Sequence, residues 1–447
     1  MRIVVIGGVA AGMSAASQAK RRNPACEVIV LERGDDISYS ACGMPYNIGD
    51  PARNIDDLVI LDAAQARTQR DIDVRTGHEV TALDAAGKTV TFRSGGGAQA
   101  PTLAWDRLVI ATGASAIIPK IPGLGLPGVF VLRDLTDARA IKSHLRRSLV
   151  TKAVIVGAGY IGMEMADALH KLGIAVTIIE KADQALPGFA PAIVAIAQQE
   201  LARCGVTVQT GTSLQAIHRL GDGLAVSTGK GELGAQIVIV AVGARASTGI
   251  AAAAGIMLGP TGAIAVDDHM RTSAPDIYAA GDCAEAQHLV LGRPVWIPLG
   301  TTANKQGKVA GANAAGGDER FGGIVGTAGF KLFQLEVART GLGGPDLAGF
   351  DAIAAVSHHH SRARAYPGDR PITTLVYAER GTGRLLGAQM IGGEAVAKRI
   401  DIFATALHAG MTLAQVEQLD LSYAPPFAPV YDPVLVAATV ALKQLRR

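Results

Sequence analysis

The sequence holds four cysteines, Cys26, Cys42, Cys204 and Cys283, and no two of them form a CxxC pair or a zinc-like spacing. That excludes a local dithiol and a structural zinc motif. Aromatic residues are only 4% of the chain, whereas glycine is abundant at 54 residues, which suits an α/β protein of tight turns and close backbone approaches to ligands. Charge of one sign is scarce too: 42 basic against 39 acidic residues leave a formal net charge of +3, which argues against a nucleic-acid binder. Long hydrophobic runs are missing. Mean hydropathy is positive, but it comes from dispersed Ala, Val, Ile and Leu, and "IVIVAVGA" (Ile237–Ala244) is of strand length, short of the roughly 20 residues that span a bilayer. "MRIVVIGG" starts a strand at once and lacks the parts of a signal peptide. The expectation is a cytoplasmic protein with no membrane and no nucleic-acid partner. The basic runs at Lys20–Arg22 and Leu445–Arg447 read as helix ends in solvent.

With 447 residues, the chain can build two or three domains. "RIVVIGGVAAGMSAASQAKR" reads as a buried strand, a turn with Gly7, Gly8 and Gly12, then a helix. A second strand, "VIVLERG", ends in Glu32. This is the βαβ plan for a dinucleotide: pyrophosphate on a helix N-terminus, ribose hydroxyls on an acid about twenty residues on. Val9 stands where the fingerprint wants its middle glycine. The plan recurs in full at Lys152–Asp183, with Gly157, Gly159, Gly162 and the terminal acid Glu180. An acid there repels a 2′-phosphate and favours NADH over NADPH, while the adjacent Lys181 pulls the other way. Two such units suggest FAD plus NAD(P)H.

Three more segments fit. "DRLVIATGAS" is a buried strand ending in Ala111, Thr112 and Gly113, "GAQIVIVAVGAR" is its counterpart after the second unit, and "APDIYAAGDCAE" delivers Gly281 and Asp282 to a ligand edge. In that order these motifs resemble the two-dinucleotide flavoprotein disulfide reductases. The resemblance implies two Rossmann-like α/β domains and a C-terminal α+β dimerisation domain. The FAD domain would be split over 1–115 and 245–320, the NAD(P) domain would take 116–244, and 321–447 would form the homodimer. It also implies flavin contacts at Ala10, Ala11, Arg33, Val80, Arg133, Leu299, Thr301 and Thr302, and nicotinamide-dinucleotide contacts at Tyr160, Ile161 and Gly243.

"SYSACGMPYNIGD" (Ser38–Asp50) places Cys42 among small residues. Disulfide exchange needs a thiolate. Small neighbours let a sulfur approach a flavin ring, and the "GMPYNIGD" that follows is expected to open a helix whose N-terminus favours the anion. Cys26, Cys204 and Cys283 are expected to be packing residues. "SxxxCGMPY", "GTTANKQGKVAGAN", "KRIDIFATAL" and "YAPPF" resemble the single-cysteine branch of that family: coenzyme A disulfide reductases, persulfide reductases and water-forming NADH oxidases. The resemblance implies that NAD(P)H reduces a low-molecular-weight disulfide or persulfide through Cys42. Tyr423 would reach the partner's site, and Tyr366 would stand near the substrate. Coenzyme A, as substrate or as a Cys42 adduct, would be held by Ser14, Gln18, Arg21, Arg22, Ser38 and Arg70.

Three positions depart from the coenzyme A disulfide reductase pattern. Ala41 replaces an asparagine, Ala365 replaces a tyrosine, and Tyr431 stands where a lysine is usual. Each removes a polar handle near the expected site, which leaves room for another sulfur carrier or for oxygen. A water-forming NADH oxidase with a Cys42 sulfenate uses the same residues. A non-catalytic flavin redox sensor and a thiol-independent ferredoxin reductase are further alternatives. A fused rhodanese domain is not expected at this length. No metal is expected: the three histidines of "SHHHSRAR" (Ser357–Arg364) alternate faces on a strand and do not converge on one ion.

Overall fold

The computed structural model describes residues 1–94 and 100–446, so the basic run at Leu445–Arg447 ends outside the described residues. Two five-stranded sheets share one plan. The first runs Ile277–Ala279, Arg107–Ile110, Arg2–Ile6, Glu27–Leu31, Asp73–Arg75. The second runs Thr207–Gln209, Ala175–Ile179, Lys152–Val156, Ile237–Val240, Val129–Phe130. Every pairing in both is parallel. Their central strands are runs of Ile and Val buried on both faces, which is what a parallel sheet covered by helices demands. An antiparallel pair, Ala114–Ala116 with Ala244–Ala246, ties the two units together.

The helix Ala10–Arg22 of the first unit lies against Gly300–Ala314. Small residues face each other along the seam: Ala11, Ala15 and Ala19 opposite Gly307, Ala310, Gly311 and Ala314. A Cβ on Gly307 would strike the Ala11 carbonyl, and one on Gly311 the Ala15 carbonyl. The backbones therefore touch, and the start of the first helix is held rigidly over the sheet edge.

The third layer is antiparallel, in the order Ala328–Leu332, Leu335–Gly341, Leu385–Gly392, Pro371–Glu379, Ala352–His360. Helices Val396–His408 and Pro433–Leu445 share its core, in which Phe403 is fully buried. Its first hairpin also enters the core of the second unit through Phe330, Leu332 and Phe333. No helix of the described residues is long and apolar enough to cross a membrane.

Candidate active site

Both fingerprint turns end in a helix whose first N–H groups receive no side-chain cap. Gly7 has φ of +102° and Gly157 of +108°. A side chain at Gly7 would collide with the Ala111 carbonyl, and at Gly157 with the Ala241 carbonyl. These are bare backbone cradles, suited to a pyrophosphate. Glu32 accepts from the Gly8 N–H at 2.6 Å and from the Gly34 N–H at 2.8 Å. Glu180 mirrors it, accepting from Ala158 at 2.7 Å and Ala182 at 2.8 Å. Each carboxylate thus closes its own turn. The Gly8 N–H makes this contact in the first turn and the Ala158 N–H makes it in the second, so the bond does not depend on whether Val9 or Gly159 fills the middle position.

Around the first cradle the expected flavin contacts come from many separate chain segments. Thr112 donates its hydroxyl to the Ser247 carbonyl at 2.6 Å, beside Ala111 and Gly113. Arg133 donates to the Ala114 carbonyl at 2.7 Å and to Asp282 at 3.0 Å. Trp296 donates to the Asp282 carbonyl at 2.7 Å. Leu299 caps the helix that carries Thr301 and the buried Thr302. Ala10, Ala11 and Gly12 form the first turn of the opposing helix, and Arg33 is exposed beyond Glu32. The Val80 side chain is buried in the core beneath the first sheet, away from solvent. At the second cradle Tyr160 packs against Phe189 and Phe330, Ile161 is 44% exposed, and Gly162 sits over the Gly157 carbonyl. The Gly243 carbonyl accepts from Ile117 at 3.0 Å, and Lys181 is exposed.

Cys42 is an exposed free thiol in the 3-10 turn Ala41–Gly43, directly before the helix Met44–Ile48. The expected helix is there, but it is five residues long and carries little dipole. The protein's own groups act against ionisation. Desolvation by the surrounding walls pushes the thiol pKa up, Glu164 and Asp282 add to that, and Arg133 opposes them. Cys26 and Cys283 are buried, and the Cys283 thiol lies 3.4 Å from the Ile110 and Ala280 carbonyls. Cys204, at a helix C-terminus beside Glu200 and Arg203, is half-buried and packs against the core of the second unit.

A cavity of about 290 Å³ opens between the two seam helices and the loop leading to Cys42. Ser14, Arg21, Ser38 and Arg70 line it, as do Asn304 and Lys308, which sequence reasoning missed. Ser14 donates to Asn304 at 2.7 Å, and Arg70 to Ser17 at 2.9 Å. Gln18 holds the Arg21 guanidinium at 2.9 Å, whereas Arg22 is exposed and does not line the cavity. Three cations around a hydroxyl-lined hollow suit phosphate groups. Asn304 and Lys308 stand one turn apart on Gly300–Ala314, a spacing that marks a shared helix face.

Tyr423 and Tyr366 lie far along the chain from Cys42, 50% and 39% exposed. Arg362 stacks over the Tyr366 ring at 6.0 Å. Arg399 and Asp432, both buried, pair at 2.9 Å, and Arg399 also holds the Ser361 and Phe427 carbonyls, tying the Tyr366 and Tyr423 loops together. Of the three histidines, His358 pairs with Thr373 and His360 with Asp369. No group of side chains among the described residues could hold a metal.

Residues 1–307 match the family model for pyridine nucleotide-disulphide oxidoreductases, and residues 327–433 match the dimerisation domain of the same family. The chain belongs to this family. It is an oxidoreductase of the FAD-dependent, NAD(P)H-using kind. It is 38% identical over 446 residues to the NAD(P)H coenzyme A polysulfide/persulfide reductase of Pyrococcus horikoshii, covering 98% of each chain. It is 34% identical to an NADH oxidase of Methanocaldococcus jannaschii, covering 100% of this chain and 99% of that one. A solved NAD-dependent persulfide reductase from A. fulgidus superimposes with a TM-score of 0.96 at 39% identity, over 99% of this chain and 83% of that one.

Proposed function

We propose that this enzyme uses NADH to reduce a disulfide or persulfide carried on a phosphate-bearing thiol of the coenzyme A kind, with Cys42 as its single redox sulfur. The observation that carries this reading is the cavity of Arg21, Arg70 and Lys308 beside the Ser38–Cys42 loop. The first cradle would hold FAD, which would supply two-electron transfer between NADH and sulfur. The residue set fits it: a bare helix N-terminus, a carboxylate in Glu32, and Arg133 paired with Asp282. NADH sits at the second cradle, with Glu180 toward its ribose. We divide the chain as 1–115 with 245–320 for FAD, 116–244 for NAD(P) and 321–447 for the dimer.

The Cys42 thiolate attacks one sulfur of the substrate. A Cys42–sulfur bond forms as the substrate S–S bond breaks, and the displaced thiolate leaves as a thiol after taking a proton. Two electrons then break the mixed disulfide, return Cys42 as thiolate and release the second thiol with a second proton. Tyr423 from the partner subunit, aided by Tyr366, hands a proton to the departing sulfur. NADH, one proton and one disulfide thus give NAD⁺ and two thiols. Unpaired, exposed Cys42 suits the reducing cytoplasm, where we place the enzyme.

A second reading is an NADH oxidase in which Cys42 cycles through a sulfenate. Ala41, which offers no polar handle beside the thiol, favours it. Cys42→Ser with coenzyme A disulfide separates the readings. The proposal expects thiol release to vanish while NADH still bleaches the flavin. Undiminished thiol release in that variant overturns it, and rapid NADH-dependent oxygen uptake by the wild type without thiol release favours the oxidase.

A further inference from the structure

A buried cation with no part in the chemistry above sits behind the redox loop. Lys142, on the helix Leu135–Arg147, is 5% exposed. Its Nζ donates to the Asn47 carbonyl at 2.8 Å, the Asn47 side-chain oxygen at 2.8 Å, the Arg53 carbonyl at 2.8 Å and the Asp50 carbonyl at 3.0 Å. An ammonium has three protons, so this one is surrounded by more acceptors than it can fill. All of them belong to the stretch that runs from the end of the Met44–Ile48 helix to Arg53. Asn47 is itself fully buried and passes its amide proton to the Asn54 carbonyl at 2.8 Å.

One turn earlier on the same helix, Arg139 grips Asp36 at 2.8 Å and Asp56 at 2.7 Å. Asp36 precedes the redox turn and Asp56 follows it. The two cations therefore hold the loop at both flanks, from one rigid element. Burial disfavours the charged ammonium and depresses the Lys142 pKa. An apolar residue in its place would leave the Arg53 carbonyl without this donor, and the Asn47 and Asp50 carbonyls with backbone N–H bonds from Asp50 at 3.1 Å and Arg53 at 3.4 Å. The cation thus ties this loop to the helix Leu135–Arg147.

We propose that Lys142 is a positioning residue for Cys42: its ammonium gathers the carbonyls at the far end of the redox helix and so fixes where the thiol at the near end stands. The proposal rests on Cys42 being the redox sulfur. Its consequence is selective. NADH oxidation by the flavin does not pass through this loop, whereas transfer to sulfur does. An error of about 1 Å in the thiol's place costs up to about a hundredfold in rate.

The test compares wild type, Lys142→Met, Lys142→Arg and Cys42→Ser as purified flavoproteins. Stopped-flow bleaching by NADH, thiol release from coenzyme A disulfide, and the long-wavelength absorbance of thiolate against oxidised flavin are read in each. Lys142→Met is expected to bleach within about twofold of wild type, to lose about tenfold or more in thiol release, and to lose the long-wavelength band. Lys142→Arg restores part of both. If Lys142→Met does not hold flavin, Asn47→Ala is measured in its place, and a smaller loss confined to thiol release is expected. Unchanged thiol release and absorbance, or an equal fall in both half-reactions, overturns the proposal. Thiol release by Cys42→Ser would instead overturn the reading of Cys42.

Discussion

The Tyr46 hydroxyl donates to the Glu164 carboxylate at 2.7 Å, joining the helix after Cys42 to the first helix of the second dinucleotide unit. The bond crosses between the segment that carries Cys42 and the segment proposed to receive NADH. Burial raises the Glu164 pKa, the Tyr46 hydrogen bond lowers it, and Asp167 raises it again. A raised carboxyl pKa stabilises the fold below the ordinary glutamate value of 4.5, and that contribution is lost as pH climbs through the folded value. Glu164→Gln should therefore gain on wild type in urea melts as pH rises from 4 to 8. Tyr46→Phe removes a hydrogen bond to a charged group. It should cost about 1.5–3 kcal/mol at neutral pH and less in acid.

On the proposed reading coenzyme choice rests on Glu180, whose carboxylate accepts two backbone N–H bonds at the second cradle. Wild type should prefer NADH. Glu180→Ser should lower kcat/KM for NADH and raise it for NADPH, moving the ratio by about tenfold or more, since Lys181 then meets the 2′-phosphate unopposed. Steady-state kinetics with both coenzymes check this.

The cavity cations should act on substrate binding alone. Arg21→Ala, Arg70→Ala and Lys308→Ala should each raise KM for coenzyme A disulfide by about tenfold, the scale of one charge-assisted hydrogen bond. Flavin bleaching by NADH should not change. Arg22→Ala, outside the cavity, should do little.

The seam between the two glycine-bearing helices has no room for a methyl group. Gly307→Ala should force the helix Gly300–Ala314 off the Ala11 carbonyl and destabilise the protein by about 1–3 kcal/mol. Because the same helices frame the flavin cradle, flavin content should fall with it. Thermal melts and the flavin-to-protein absorbance ratio read both effects.

Breaking the Arg399–Asp432 pair strands a buried charge. Asp432→Asn should cost about 3–5 kcal/mol. It should also loosen the Tyr423 loop, lowering thiol release more than flavin bleaching in the half-reaction assays.

Much of the architecture was legible because parallel strands write themselves as unbroken Val and Ile runs, and because glycines and terminal acids stand at fixed offsets from them. Arg2–Ile6 and Lys152–Val156 are such strands. Cys42 was legible for the same local reason. The other side of the cavity beside the Ser38–Cys42 loop was not. Asn304 and Lys308 are separated from Ser14 by most of the chain, and only the helix seam brings them together. Lys142 was least legible of all. In "IKSHLRR" it looks like one more solvated lysine of an amphipathic helix, and three of its four acceptors are backbone carbonyls, which leave no trace in side-chain patterns. The ionisation of Cys42 was only half visible: the small neighbours could be read, but Glu164 and Asp282 arrive from distant segments and act against the thiolate.

The central claim is that electrons leave this protein through Cys42. Enzyme reduced with NADH under anaerobic conditions is given a small excess of coenzyme A disulfide, quenched in acid and digested, and the peptides are weighed. The account predicts a coenzyme A adduct on the peptide containing Cys42, removed by dithiothreitol. An adduct on Cys26, Cys204 or Cys283 instead, or thiol release with no adduct on Cys42, would contradict it.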